Sequence, residues 1–288
     1  MTTIDTPKNA ASTTSKDAPN RTITTGGGTF AYRELGPRGG VPLVLLHHLT
    51  ATMDDWDPRV LDGIAARRHV IVFDNRGVGA SSGSVPRTID EMAADAVEFI
   101  RALGYDQVDL LGFSLGGGVA QVVTLAHPEL VRKAIFAGTG TAGAGDLDEV
   151  TKVAVLAYVK AALTLRNPKH FLFFPRTAEG KRAATDYMAR LEERTEGRDK
   201  RISLTAIRNQ LTAIRAAAVQ TPYDLGSIQQ PVLVANGDND VMVDSAHSVD
   251  MARRLPNAEL VIYPNSGHGG IFQYHEQFVP KVLEFLAR

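Results

Sequence analysis

Leu110-Leu111-Gly112-Phe113-Ser114-Leu115-Gly116-Gly117-Gly118 decides the fold of this chain. Apolar residues lead up to a Gly-x-Ser-x-Gly, and helix-compatible residues follow it. A strand that turns this sharply into a helix has room only for small side chains two positions before and two after the serine. The strain lifts the hydroxyl clear of the backbone at the strand end, where a base can reach it. Ser114 is therefore the candidate nucleophile. The rest of the chain decides between that and a glycine-rich turn that holds a serine by chance.

Around this centre the apolar pattern keeps returning. Residues 29–35 alternate like an edge strand. Residues 42–46 and 69–73 are continuous apolar runs, as strands covered on both faces require. Residues 88–103 have helical spacing, with Ile89, Met92, Ala96, Phe99 and Ile100 on one side. Residues 108–112 form the strand that feeds Ser114, and 117–126 read as the helix after it, stopped by His127-Pro128. Residues 133–137, 231–237 and 258–263 are further strands, and 271–286 the last helix. Strand and helix alternate, which predicts an α/β class with a mostly parallel central sheet and helices on both faces.

The alternation breaks over residues 140–226, which read as helices near 146–165, 178–195 and 201–219. Such a stretch between two core strands predicts an inserted helical cap. The expected organisation is a disordered tail over 1–20, a core over 21–139, the cap over 140–226 and the rest of the core over 227–288. There are no internal repeats.

Composition narrows the function. The 288 residues are 44% hydrophobic and 22% charged, ordinary for a soluble globule. A formal net charge of -1 gives no electrostatic case for a nucleic-acid or membrane partner. The apolar runs are far too short for a membrane span. Without cysteine there are no disulfides, thiolate nucleophiles or Cys-based metal sites. That fits a reducing compartment, and with no apolar leader segment the expected location is the cytoplasm. The expected partner is a small-molecule substrate; oligomeric state is open, a homodimer being one option.

A serine nucleophile needs a base, and the base an orienting acid. Asp240 follows the strand over 231–237 within Asn236-Gly237-Asp238-Asn239-Asp240, and His268 follows the last strand within Ser266-Gly267-His268-Gly269-Gly270. Both lie in loops at strand carboxyl ends, in the order Ser, Asp, His that belongs to this kind of elbow. Asp238 competes for the acid's place, but its expected role is to tighten the turn. The oxyanion needs two backbone N–H groups. Leu115, just after the nucleophile, supplies one candidate. Leu49, in His47-His48-Leu49-Thr50 after the strand over 42–46, supplies the other. His47 and His48 have no company of metal-ligand spacing and read as loop-holding residues.

These pieces, together with Phe73-Asp74-Asn75-Arg76-Gly77-Val78-Gly79-Ala80-Ser81, resemble the α/β-hydrolase superfamily from about Arg21 to Arg288. The resemblance is to small capped esterases, cofactor-free haloperoxidase-like enzymes and carbon–carbon bond hydrolases. It implies that the second acid of Gly-Asp-x-Asp, here Asp240, is the triad member. The usual His-Gly of the oxyanion loop is His47-His48 here, so His48 is expected to narrow the pocket. Arg76 is expected to tie loops together near the site.

The expected chemistry is cofactor-free acyl transfer on a small or medium, mostly apolar ester. Met53 and Trp56, just past the oxyanion loop, are expected pocket-wall residues along with His48. Cap residues such as Leu165, Phe171, Phe173 and Phe174 are further candidates, and Arg166 or Arg176 could hold a substrate carboxylate. Two alternatives stand: the same triad working on a carbon–carbon bond or on peroxide, and a non-catalytic binding protein on the same fold. Gly138-Thr139-Gly140-Thr141-Ala142-Gly143 fits a dinucleotide motif, but it follows a late strand and no acid stands at 156–167, so it carries no cofactor site.

Overall fold

The computed structural model describes residues 14–143 and 147–288. Eight strands form one sheet: β1 (Arg21–Thr25), β2 (Gly28–Leu35), β3 (Leu43–Leu46), β4 (Val70–Phe73), β5 (Val108–Phe113), β6 (Val131–Ala137), β7 (Val232–Gly237) and β8 (Ala258–Tyr263). Their order is β1-β2-β4-β3-β5-β6-β7-β8. β2 pairs antiparallel with β1 and with β4, and every other pair is parallel. The continuous apolar runs become the central strands: every residue of β3, β4, β5 and β7 is buried. A strand covered by helices on both faces has no solvent side, so it needs no polar alternation.

The helices among the described residues are α1 (Pro58–Ala65), α2 (Ile89–Ala102), α3 (Leu115–Ala126), α4 (Leu147–Thr164), α5 (Lys169–Leu172), α6 (Ala178–Leu191), α7 (Leu204–Ala218), α8 (Ser245–Arg254), α9 (Gly270–Gln273) and α10 (His275–Ala287). Helices α4 to α7 form one helical insertion between β6 and β7. The core divides into two apolar clusters. One holds alternate residues of the central strands with α1 and α10, the other the intervening residues with α2 and α3. No helix among the described residues is long and apolar enough to cross a membrane.

Three features differ from the sequence expectation. The expected edge strand is not the edge, because β1 pairs outside it through Arg21↔Tyr32 and Thr25↔Gly28. Residues 14–20 do not belong to an unstructured tail. Ala18 is 1% exposed, the Ser15 N–H donates to Asp62, and the Arg194 guanidinium donates to the carbonyls of Ser15, Lys16 and Ala18 at 2.9–3.1 Å. The polar composition hid this because the segment is held through its backbone. The last helix is broken at Tyr274 into α9 and α10. Residues 1–13 of the expected tail and 144–146 near the expected start of the cap lie outside the described residues.

Strand order reverses where β3 lies between β4 and β5. At such a switch point the loops leaving the carboxyl ends diverge to opposite faces and open a crevice. Leu46 is in register with Gly112, so the loop after β3 lies beside the turn after β5.

Candidate active site

Ser114 joins β5 to α3 with φ 56 and ψ -118, a left-handed backbone strained for a residue with a Cβ. The glycines around it explain how the turn closes. A Cβ on Gly112 would stand 2.2 Å from the Gly116 carbonyl oxygen, and one on Gly116 would stand 2.1 Å from that of Leu46. Both obstacles are backbone. Gly116→Ala is therefore expected to cost at least about 3 kcal/mol, near the top of the overpacking range. Gly118→Ala should cost far less, because its Cβ meets only the Ile89 side-chain tip at 3.1 Å and alanine favours a helix. Urea midpoints of the two variants check this; equal effects would show that the elbow is not sterically closed.

The close seating of Gly116 on Leu46 brings the start of α3 against the loop of residues 47–50. Among the described residues, the N–H groups of Leu49 and Leu115 have no protein acceptor. Thr50 takes a left-handed φ of 65, and its N–H donates to Gln210 Oε1 of α7 at 2.8 Å. The loop's unusual backbone angle thus falls on Thr50, and His48 needs no glycine-like conformation.

His48 is buried, with edge-on contacts to Phe113 and Phe173. Its Nδ1–H donates to the Leu49 carbonyl at 2.8 Å. Burial, aided by the Lys169 charge, drops its pKa to about 3, so the ring is neutral at working pH. His47 faces away. Its Nδ1 accepts from Trp56 Nε1 at 2.8 Å, which leaves the proton on Nε2, 3.8 Å from Asp74 Oδ1. Met53 and Trp56 are accordingly not on the cavity wall. Met53 is 1% exposed and Trp56 2%, both packed in the core behind the loop, where the indole N–H had a buried partner to reach.

Asp240 and His268 arrive from the loops after β7 and β8. Those loops are pressed together at Gly237, where a Cβ would meet the carbonyl oxygens of Gly267 and Ser266 at 2.3–2.4 Å. His268 Nδ1–H donates to Asp240 Oδ2 at 2.7 Å, which leaves the lone pair on Nε2. Asp240 Oδ1 accepts from the N–H groups of Met242 and Val243 at 2.7 and 3.0 Å, fixing the carboxylate from the other side. Asp238 instead accepts from the Ser266 N–H and the Asn239 amide, holding the turn. The His268 ring lies 4.9 Å from the Phe113 ring and 5.6 Å from that of Phe173.

Ser114, His48 and His268 line one cavity of about 660 Å³, with Leu165, Phe173 and Arg166 of the insertion on its other walls. Phe171, Phe174 and Arg176 border a separate groove of about 600 Å³ that runs past Asp238 and Asp240. Arg76 does not line the cavity; it pairs with Asp95 and Glu98 of α2.

The insertion is fastened to the loop after β3 by buried charge. Arg190 forks onto Asp57 at 2.6–3.2 Å, Lys169 pairs with Asp55, and Arg33 bridges Asp54 and Asp199 at 2.7 and 3.0 Å. Sequence reasoning missed this set, whose links to the insertion join residues more than a hundred positions apart. Burial and the facing Asp74 carboxylate raise the Asp199 pKa to about 7, outweighing Arg33. A carboxyl whose folded pKa is raised binds its proton more tightly when folded. Its contribution is full below the ordinary value of 3.8 and lost as pH rises through about 7. Asp199→Asn, which mimics the neutral form, should therefore gain stability relative to the parent between pH 5 and 8, by several degrees in Tm. A Tm difference that stays flat or shrinks across that range would overturn the assignment.

Comparison with known proteins agrees with this architecture. The α/β hydrolase fold family matches residues 41–273. A solved α/β hydrolase fold protein from Chitinophaga pinensis is 38% identical, with TM-score 0.91, covering 95% of this chain and 98% of that one. The non-heme chloroperoxidase of Streptomyces lividans is 30% identical over 92% of this chain and 99% of its own. The structure of Est816, an N-acyl homoserine lactone degrading enzyme, is 25% identical with TM-score 0.72, over 92% of this chain and 100% of that one.

Proposed function

The chain belongs to the α/β-hydrolase family, and from that premise we propose that it is a serine hydrolase of small to medium carboxylic esters. The observation that carries the reading is that a strained Ser114 lines the same cavity as His268, whose tautomer is set by Asp240 at 2.7 Å.

In the proposed reaction, His268 Nε2 takes the Ser114 proton as Oγ attacks the ester carbonyl. The C=O π pair moves onto oxygen, and the N–H groups of Leu115 and Leu49 receive the oxyanion. Collapse breaks the bond to the alkoxy group, which leaves as the alcohol with the proton from His268 Nε2–H. Water then gives its proton to Nε2, attacks the acyl-enzyme and releases the acid and Ser114. The helical insertion acts as the cap that limits water around the oxyanion.

A fluorophosphonate probe tests the reading. It should label the parent on Ser114 and leave Ser114→Ala unlabelled; an unlabelled parent with no activity on p-nitrophenyl esters would sink it. The 30% identity to a non-heme chloroperoxidase favours a second reading, in which hydrogen peroxide replaces water at the acyl-enzyme and a peracid leaves. Peracid formed from an ester and peroxide, and lost in Ser114→Ala, separates the two.

A further inference from the structure

Two unequal compartments meet at Ser114. One is an apolar recess of about 50 Å³ lined by Leu115, Ile89, Ala142, Ile214 and Val243, large enough for a short alkyl group. The other is the cavity of about 660 Å³, buried at its His48 and His268 end and open at a rim carrying Arg166, Lys200 and Arg201. Resting on the hydrolase reading above, we propose that the enzyme's substrates are esters with a small apolar group on one side of the scissile bond and a carboxylate at the remote end of the other, held by Arg166, Lys200 and Arg201.

The charge of the wall supports this. Every acid lining the cavity already has a cation: Asp199 has Arg33, Asp54 has Arg194 at 3.7 Å besides its share of Arg33, Asp55 has Lys169, and Glu192 has Arg198 at 2.7 Å. Arg166, Lys200 and Arg201 have no side-chain partner among the described residues. The surplus positive charge is thus concentrated at the exposed rim, where a substrate's far end would emerge. Leu172, Phe173, Ile207 and Met242 give the same cavity an apolar wall.

The cations are also positioned. Leu165 takes a left-handed φ of 52 and the Arg166 N–H donates to the Ala161 carbonyl at 3.0 Å, a closure that fixes the chain direction after α4. Lys200 and Arg201 follow Asp199, whose N–H donates to Asp54 Oδ2 at 2.7 Å and whose carboxyl meets Arg33. Helix electrostatics accounts for a cation after α4, at a helix carboxyl end. It does not account for Lys200 and Arg201, which precede Ser203, the N-cap of α7, where cations are disfavoured. A bound anion reverses that disadvantage, and charge-assisted hydrogen bonds to a carboxylate give it direction.

Monoethyl esters of dicarboxylic acids from succinate to suberate test the proposal against ethyl esters of the matching monocarboxylic acids. At the best chain length the charged ester should be favoured about tenfold or more in kcat/KM, equivalent to one charge-assisted contact. The preference should fall toward parity in Arg166→Ala/Lys200→Ala/Arg201→Ala and at high salt, and invert in Arg201→Glu. Binding of the same pairs to Ser114→Ala by calorimetry separates the subsite from the chemistry. Neutral esters hydrolysed as well as charged ones at every length would overturn the subsite and leave the hydrolase reading standing. So would a preference that survives the triple replacement. Tighter binding of the charged ester, lost in the triple variant, with no hydrolysis by the parent, would support the subsite and sink the hydrolase reading.

Discussion

Replacing His268 with alanine is expected to lower kcat for ester hydrolysis by about 10⁴–10⁶-fold, the range seen when one member of a nucleophile–base pair is removed. Without the imidazole, Ser114 must lose its proton to water, and the departing alkoxide has no acid to receive it from. The loss should sit in kcat, because the cavity walls that bind substrate remain. Fluorophosphonate labelling should slow in parallel, since it uses the same proton transfer. The fold should persist: Asp240 keeps the Met242 and Val243 N–H bonds, and the vacated space is bounded by Phe113 and Phe173. Far-UV circular dichroism and a cooperative thermal transition check that part. Turnover within tenfold of the parent would remove His268 from the role of base. His47→Ala should act differently, through loop geometry. It strips the Trp56 indole of its buried acceptor and should bring a partial loss of activity together with a lower Tm.

What could be read in advance follows a physical pattern. The elbow at Ser114 was legible because its requirement is local: two backbone clashes, at Gly112 and Gly116, demand glycine at fixed offsets from one serine. The central strands were legible because burial on both faces leaves only apolar residues. The loops of Asp240 and His268 were legible because each directly follows such a strand. Features held by backbone acceptors were not. Residues 14–18 dock through their carbonyls onto Arg194, and no side-chain pattern announces that. β1 is Thr-rich and half exposed, so it has no apolar period to detect. Trp56 is a large aromatic just past a catalytic-looking loop, and only the direction of its indole N–H, toward His47, sends it into the core. The rim cations and the Arg33–Asp54–Asp199 set come from segments far apart in the chain, so only the fold assembles them.

Asp240→Asn is the second large effect expected, about 10⁴-fold in kcat by analogy with the same change in a serine protease triad. The side chain would keep its size and its acceptor oxygen toward Met242 and Val243. The group turned to His268 Nδ1 would then be an amide N–H₂, a donor facing a donor. The ring can satisfy it only by moving its proton to Nε2, the atom that must accept from Ser114. The histidine is present but in the wrong tautomer, so the loss should be nearly as large as losing the carboxylate altogether. Asp238→Asn tests whether the effect belongs to Asp240 alone. Asp238 accepts from the Ser266 N–H and the Asn239 amide, which an amide oxygen still can do, so a change within about tenfold is expected. Binding of a neutral substrate analogue should survive in both variants, which places the Asp240→Asn deficit in the proton transfer. If Asp238→Asn proved the more damaging of the two, Asp240 would be a structural carboxylate, and the 2.7 Å bond to His268 would not be the one that orients the base.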